Sequence, residues 1–233
     1  MEVHHVTEDV ETFTCNVFLA VGDRTTLVDA GAFEGIVDAI GEYVDDLDAV
    51  VMTHQHGDHV DQLEAVVDAF DPDVYAYDDH PTRTHELEDG DEIRIGDEAF
   101  DPDVYAYDDH SLRTHAIDDG DTVTIGDEEF EVVYTPGHAD DHVSLVSGTT
   151  LFSGDVVVHD DGAFDYGSFG RTDMAGQSRE RLIESIEALL ERLPEGVEHM
   201  YSGHGGVFHG DVRDVVETAL ERAERREPKY PDG

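Results

Sequence analysis

A short apolar segment that runs directly into a histidine-rich loop constrains this chain more than any other feature. Residues 50–53 predict a buried strand, and the sequence HQHGDH that follows it is rich in the imidazole and carboxylate groups that suit zinc, manganese or iron. Because side chains alternate along an extended chain, His54 and His56 point the same way. Asp58 and His59 come where a helix begins, so they can approach a second position nearby. The segment therefore predicts a metal centre at the end of a buried strand.

Three further apolar segments end in side chains that bind metals. His138, Asp155 and His204 each follow a stretch that reads as a strand. Strands and amphipathic helices alternate along the rest of the chain, which favours the α/β class, and α/β proteins build sites at strand ends. The predicted metal ligands are His54, His56, Asp58, His59, His138, Asp155 and His204.

An internal repeat interrupts this pattern. Residues 70–99 recur as residues 100–129, with 21 identities in 30 aligned positions. Each copy predicts a strand, a polar loop, an Asp-Gly turn and a second strand. We interpret the pair as a tandem duplication inside a single domain that spans residues 1–233. Either copy, or a hybrid of the two, can fill the ordinary place in the fold, and the surplus segment can protrude, extend a sheet or pair with another subunit to form a homo-oligomer.

The charge of the chain is extreme, with 58 acidic side chains against 13 Lys and Arg and a formal net charge of −45. Such repulsion destabilises a compact state in dilute buffer, whereas molar salt shortens the Debye length to about 3 Å and screens it. We therefore predict a cytoplasmic protein from the high-salt cytosol of a halophile, with an acidic protein of an ordinary cell as the alternative. The sequence contains no basic patch, so nucleic-acid binding is not expected. No apolar run approaches the roughly 18 residues of a membrane span.

Taken in order, the hairpin-like segment at residues 15–31, the HQHGDH loop, His138, Asp155 and His204 resemble the metallo-β-lactamase superfamily. The resemblance covers nearly the whole chain. His138 lies 79 positions after His59, and removal of one 30-residue copy leaves 49, close to the family's usual spacing. The resemblance implies an α/β fold, the four-layer αβ/βα sandwich, with the metal site at the edge between its two sheets.

The resemblance also implies the roles of individual residues. It assigns one divalent ion to His54, His56 and His138, a second to Asp58, His59 and His204, and a bridging position to Asp155. Two such ions, zinc foremost and iron or manganese as alternatives, would hold a bridging hydroxide that attacks a carbonyl. Asp58, Asp155 and Arg171 are the candidate catalytic residues, with Arg171 contacting substrate or bracing its loop. Asp29 is expected to support a ligand from behind, with a turn cap as the alternative.

Two features indicate which branch of the superfamily the sequence resembles. Asp155 occupies the position where several true lactamases carry cysteine, so antibiotic hydrolysis is not expected. The segment GRTD at residues 170–173 resembles that of single-domain glyoxalase II-like hydrolases, which split thioesters of a hydroxyacyl group and a thiol. The expected function is therefore metal-dependent hydrolysis of a small thioester or ester. The sequence leaves the native substrate and its thiol carrier open.

Other reaction classes fit the same residues. Persulfide dioxygenases share the GRTD segment, and the resemblance to them implies one Fe(II) on His54, His138 and Asp155, a triad that leaves positions open for oxygen. Lactone hydrolysis is a further alternative, because the same hydroxide opens esters. A metal-binding protein without turnover is the non-enzymatic alternative.

Overall fold

The computed structural model describes residues 1–77 and 112–227, together with the backbone of residues 93–95 and 98–100. Its first sheet consists of β1 (Glu2–His5), β2 (Phe18–Val21), β3 (Thr26–Val28), β4 (Ala49–Val51), β5 (Asp73–Tyr77) and β8 (His115–Ile117), side by side in this order. The first three strands are antiparallel, and β3, β4, β5 and β8 are parallel. Alternation along β2 places Phe18 on one face and Leu19 on the other, so both faces of this sheet are apolar.

A second sheet of six strands uses the later part of the chain. Its order is β16 (Phe208–His209), β15 (His199–Ser202), β12 (Thr150–Gly154), β11 (Val143–Val146), β10 (Glu128–Tyr134) and β9 (Thr122–Ile125). Only the β12–β15 pair is parallel. A small antiparallel pair, β13 (Val157–Val158) and β14 (Ser168–Phe169), follows β12 along the chain.

Among the described residues, five helices accompany the two large sheets. They are α1 (Ile36–Gly41), α2 (Gly57–Val60), α3 (Leu63–Phe70), α4 (Arg179–Arg192) and α5 (Val212–Glu224). The two long helices begin at side-chain caps, because Ser178 accepts from the backbone N–H of Arg181 and Asp211 accepts from that of Asp214. In the described part of the chain, no helix combines the length and the apolarity needed to cross a membrane.

Three apolar clusters stack these elements in layers. Residues of α1 and α3 pack with one face of the first sheet, and residues of α4 and α5 pack with one face of the second. The third cluster contains side chains of both sheets, including Phe18, Val51, Phe130 and Phe152. Burial of apolar area on both faces of each sheet is what holds such layers together. The expected four-layer αβ/βα sandwich is confirmed.

The two large sheets draw strands from both copies of the repeat. Strand β5 comes from the first copy, whereas β8 and β9 come from the second. These strands belong to one compact unit, Met1–Asp78 with Leu112–Gly233.

The other compact unit is Asp79–Ser111. In it, β6 (Ile93–Ile95) pairs antiparallel with β7 (Glu98–Phe100). The register pairs Ile93 with Phe100, just as the β9–β10 register pairs Val123 with Phe130. Most of the remaining repeat lies outside the described residues. The single-domain interpretation and the role of the surplus segment therefore stay predictions.

Candidate metal centre

The seven predicted ligands come together from separate parts of the fold. His54 and His56 follow β4, Asp58 and His59 lie on α2, and His138, Asp155 and His204 follow β10, β12 and β15. Their nitrogen and oxygen atoms form overlapping groups in which every ligand atom lies within 4.8 Å of the others. Arg171 lines the same cavity but belongs to none of these groups.

The first cluster is His54, His56 and His138. Nδ1 of His56 lies 3.0 Å from Nε2 of His54 and 3.0 Å from Nε2 of His138. Burial is the main reason that the pKa of His54 lies well below its usual value and that the pKa of His56 falls to about 4. The imidazoles of His54 and His56 are therefore neutral at pH 7, and neutral imidazole is the form that binds metal ions.

The second cluster is Asp58, His59 and His204. Nε2 of His204 lies 3.1 Å from Oδ2 of Asp58. Burial alone would lower the pKa of His204, but the carboxylates of Asp155 and Asp58 outweigh it and raise that pKa to about 9. The cluster thus favours positive charge at the position where its side chains converge.

Asp155 lies between the two clusters. Its Oδ2 is 3.3 Å from Nε2 of His138 and 3.3 Å from Nε2 of His204, and its Oδ1 is 3.7 Å from Nε2 of His59. Burial opposes ionisation of this carboxyl group, yet attraction to His204 and His59 keeps its pKa well below the usual value. Asp155 is therefore an anion in contact with side chains of both clusters.

Two buried polar atoms without hydrogen-bond partners among the described residues indicate whether this set of side chains fits a metal ion. Nε2 of His59 and Oδ1 of Asp155 have no hydrogen-bond partner within the described residues. A buried polar atom left without a partner costs about 1–3 kcal/mol, and more when it is charged. A divalent cation between the clusters would satisfy both atoms, and imidazole nitrogen with carboxylate oxygen is a set that zinc and iron accept. The residues present fit the metal ions that the sequence predicts.

Asp29 orients the second cluster from behind. The Nδ1–H of His59 donates to its Oδ2 at 2.8 Å, and the backbone N–H of Thr53 donates to its Oδ1 at 2.8 Å. This contact makes Nδ1 the protonated nitrogen of His59, so a bound metal ion would meet Nε2. The backbone of Asp29 lies in the left-handed region, with a φ of 61°, and its side chain contacts the predicted ligand His59 as expected of a supporting carboxylate.

His142 is a buried residue of the site that lies outside the seven predicted ligands. Its Nε2 accepts from the backbone N–H of Asp155 at 2.8 Å, and its Nδ1 lies 2.8 Å from Oγ1 of Thr135. Its ring lies so close to Gly154, where φ is +51°, that a Cβ there would be 2.4 Å from Nε2. The signal that could have found it is the spacing of four residues after His138.

The cavity over the clusters has a volume of about 670 Å³ and includes Phe13, Met174 and Arg171 in its lining. The guanidinium of Arg171 donates twice to Asp173, at 3.0 Å each, and its backbone carbonyl accepts from Nδ1 of His138 at 3.0 Å. Arg171 therefore braces a ligand through its backbone while its side chain lies at the cavity.

Comparison with known proteins agrees with this geometry. The model of a family described as the metallo-β-lactamase superfamily matches residues 10–227. A hydroxyacylglutathione hydrolase of Vibrio cholerae is 28% identical over 182 residues, which are 76% of this chain and 56% of that protein, so the chain spans little more than half of that relative. A probable metallo-hydrolase of Bacillus subtilis is 29% identical over 194 residues, which are 81% of this chain and 83% of that protein. The crystal structure of ETHE1 from Myxococcus xanthus superposes with a TM-score of 0.63 at 20% identity, covering 94% of this chain and 88% of that one, a likeness that bears on the fold alone.

Proposed function

Because the chain belongs to the metallo-β-lactamase superfamily, we propose that it is a metal-dependent hydrolase of small thioesters or esters. The observation that carries this proposal is the contact of Asp155 with both clusters, through His138 of the first and His204 of the second, each at 3.3 Å. The relatives support the reaction class, since one is a hydroxyacylglutathione hydrolase and another a probable metallo-hydrolase.

The chain's own residues would divide the work between holding ions and orienting ligands. His54, His56 and His138 would hold one divalent ion, Asp58, His59 and His204 the other, with Asp155 between them. Such a pair of ions supplies a Lewis acid for a carbonyl and a water activated near neutral pH. Arg171 fixes the tautomer of His138 through its carbonyl, and Asp29 fixes that of His59.

Thioesters suit this site because their leaving group needs no help from an acidic side chain. A thiol has a pKa of about 8.5, so a thiolate leaves readily from the tetrahedral intermediate. We favour zinc, which accepts imidazole and carboxylate in open sites, with iron or manganese as alternatives. We also retain the proposal of a cytoplasmic protein adapted to high salt, since the net charge of −45 requires screening.

A mono-iron dioxygenase is the second candidate. His54, His138 and Asp155 form part of the buried site, and two histidines with one carboxylate are the ligand set of many Fe(II) oxygenases. The likeness of the fold to ETHE1 is compatible with this reading. The intact second cluster of Asp58, His59 and His204 favours the hydrolase instead, because a single iron ion leaves those ligands without a role.

Elemental analysis of protein purified in high salt without chelator separates the two candidates. We expect two zinc, iron or manganese ions per chain, together with turnover of acyl thioesters. One iron per chain with oxygen uptake in the presence of a persulfide, and no thioester turnover, would establish the dioxygenase. His54→Ala and Asp155→Ala should lose both metal and activity; full turnover in either variant would contradict the assignment.

A further inference from the structure

Large apolar side chains are exposed at three positions in the described part of the chain, and two of them line the metal cavity. Phe13 is 80% exposed and Met174 is 59% exposed, and both belong to the cavity lining. Tyr43, at 48%, does not line this cavity. Exposed apolar side chains that meet at a concave site are typical of ligand binding, because only a bound ligand removes them from water.

Fixed backbone holds Phe13 beside the second cluster. The Phe13 ring stacks on the ring of His204, with a centroid distance of 5.9 Å and an interplanar angle of 19°. Shortly after it, the N–H of Cys15 donates to the carbonyl of Asp58 at 3.1 Å, and the amide of Asn16 donates to the carbonyls of Ser202 and Gly205 at 2.9 Å each. The Phe13 side chain is thus presented over a ligand from an anchored segment.

Met174 lies on the part of the lining that also supports the first cluster. It follows Arg171, whose carbonyl accepts from His138, and its own N–H donates to the side chain of Gln177 at 3.0 Å. Methionine is flexible and polarisable, so it adapts to alkyl groups of different shape. Phe13 and Met174 therefore offer apolar contact next to both clusters.

The charges of the lining act against anionic substrates. Asp160 and Asp161 line the cavity and belong to none of the ligand groups. Among the described lining residues, Arg171 carries the one guanidinium or ammonium group, and Asp173 occupies it with two hydrogen bonds. A carboxylate on the substrate would meet the negative charge of Asp160 and Asp161 in addition to that of the predicted ligands.

We propose that the cavity is an apolar substrate subsite, in which Phe13 and Met174 select neutral thioesters or esters with an alkyl arm over substrates with a carboxylate on that arm. The proposal rests on the proposed hydrolase function and specifies its substrate class. Burial of an alkyl arm against these two side chains supplies the favourable contact, and Asp160 with Asp161 disfavours the charged competitor.

Two matched pairs of thioesters test this selection, each pair differing by a methyl group in place of a carboxylate. The first pair is the butanoyl and succinyl thioesters of N-acetylcysteamine, which vary the acyl arm. The second is S-propyl and S-(2-carboxyethyl) thioacetate, which vary the thiol arm. For the metal-loaded enzyme in high salt, we expect kcat/KM to favour the neutral member of at least one pair by tenfold or more, after correction for its rate with hydroxide.

Single-residue variants then test whether Phe13 and Met174 cause the preference for neutral substrates. Phe13→Ala and Met174→Ala should each reduce the neutral-to-charged ratio to threefold or less, mainly through KM, whereas Tyr43→Ala, an exposed aromatic outside the cavity, should leave the ratio unchanged. Asp160→Asn should raise kcat/KM for the charged member. A ratio near one in the parent enzyme, or equal ratios in Phe13→Ala, Met174→Ala and Tyr43→Ala, would overturn the proposal.

A binding measurement separates this proposal from the hydrolase function. Ketone analogues, in which CH2 replaces the thioester sulfur, bind without turnover and can be titrated calorimetrically. The neutral ketone should bind the parent enzyme at least tenfold more tightly than the carboxylate ketone, and Phe13→Ala should remove most of that difference. If neither thioester pair is hydrolysed but this preference is observed, the hydrolase function fails while the apolar subsite stands; tighter binding of the carboxylate ketone overturns the subsite.

Discussion

The backbone N–H of Asp155 donates to Nε2 of His142 at 2.8 Å, so a histidine outside the ligand clusters fixes the residue that joins them. Burial holds the pKa of His142 well below its usual value, which keeps Nε2 available as an acceptor. The hydrogen-bond chain continues from Nδ1 of His142 through Thr135 to Ser144 and the carbonyl of Ser153. Every polar group along this path is satisfied, which is what a buried network requires to add rigidity.

His142→Leu should therefore disturb the metal centre without touching a ligand. The change leaves the buried N–H of Asp155 without an acceptor, which we expect to lower the free energy of unfolding by about 1–3 kcal/mol. Metal affinity should fall about 10- to 100-fold, as for other residues that orient ligands. Guanidinium unfolding and competition with a chromophoric chelator measure the two effects. The exposed His209→Leu is the control, and metal affinity equal in both variants would contradict the positioning role.

Asp29→Asn tests the tautomer of His59. An amide NH2 facing Nδ1 of His59 would drive the proton to Nε2, where the metal should bind, so we expect affinity at the second cluster to fall about 10- to 100-fold. Asp71→Asn is a matched control, since Asp71 also has a positive φ, of 49°, and asparagine tolerates that conformation. Zinc titration of both variants checks the prediction. Parent-like affinity in Asp29→Asn would show that its contact with His59 is dispensable.

Gly203→Ala should damage the site through contact alone. A Cβ at Gly203 would lie 2.2 Å from Oδ1 of Asp155 and 2.8 Å from Cε1 of His59, so both side chains must shift. Misplacement of about 1 Å costs on the order of 100-fold in rate, and we expect a loss of that size in kcat. Gly148→Ala has open space around its Cβ and is the control. Equal activity of the two variants in a thioester assay would refute this account of the site.

Removal of metal should make stability sensitive to alkaline pH through His204. Its folded pKa of about 9 lies above the unfolded value of 6.5, so its contribution is fully present below pH 6.5 and is lost as the pH rises through about 9. Unfolding of chelator-treated protein across this range should show the decline, and His204→Gln should lack it. His56 has the opposite sign, because its pKa of about 4 lies below the unfolded value, and stability is lost as the pH falls from 6.5 towards 4.

Salt should stabilise the fold by screening its negative charge. With a net charge of −45, we expect Tm to rise steeply between about 0.1 M and 1 M salt, where the Debye length falls from about 10 Å to about 3 Å. Sucrose at matched osmolarity is the control, because it strengthens burial without screening. An equal rise in sucrose, or a Tm independent of salt, would count against the halophile interpretation.

The convergence of the seven predicted ligands could be expected from sequence, because each lies at the end of an apolar strand or in the loop and short helix that follow one. The contacts of His142 with Asp155 and of Phe13 with His204 could not be predicted, since each joins residues that only the tertiary fold brings together. Strands as short as β13, β14 and β16 cannot be predicted from sequence either, because two residues carry no periodicity.

The local sequence also does not indicate which copy of the repeat supplies the strands of the two large sheets. Residues 70–80 and 100–110 are identical, so strand propensity and the pattern of apolar residues are the same in both. The structure places the first of these stretches in the sheet through β5 and continues with β8 and β9 from the second copy. A difference that depends on chain closure and on the rest of the sheet is invisible in a local window.

This hybrid use of the copies has a genetic consequence. Recombination between the two identical stretches would remove 30 residues in frame, and the same polypeptide would result wherever within the stretch the crossover fell. Deletion of residues 81–110 describes that product, whose sequence keeps the segments of β5, β8 and β9 and all seven predicted ligands. Gain or loss of the segment is therefore an event that a lineage could undergo repeatedly while inheriting the same metal ligands.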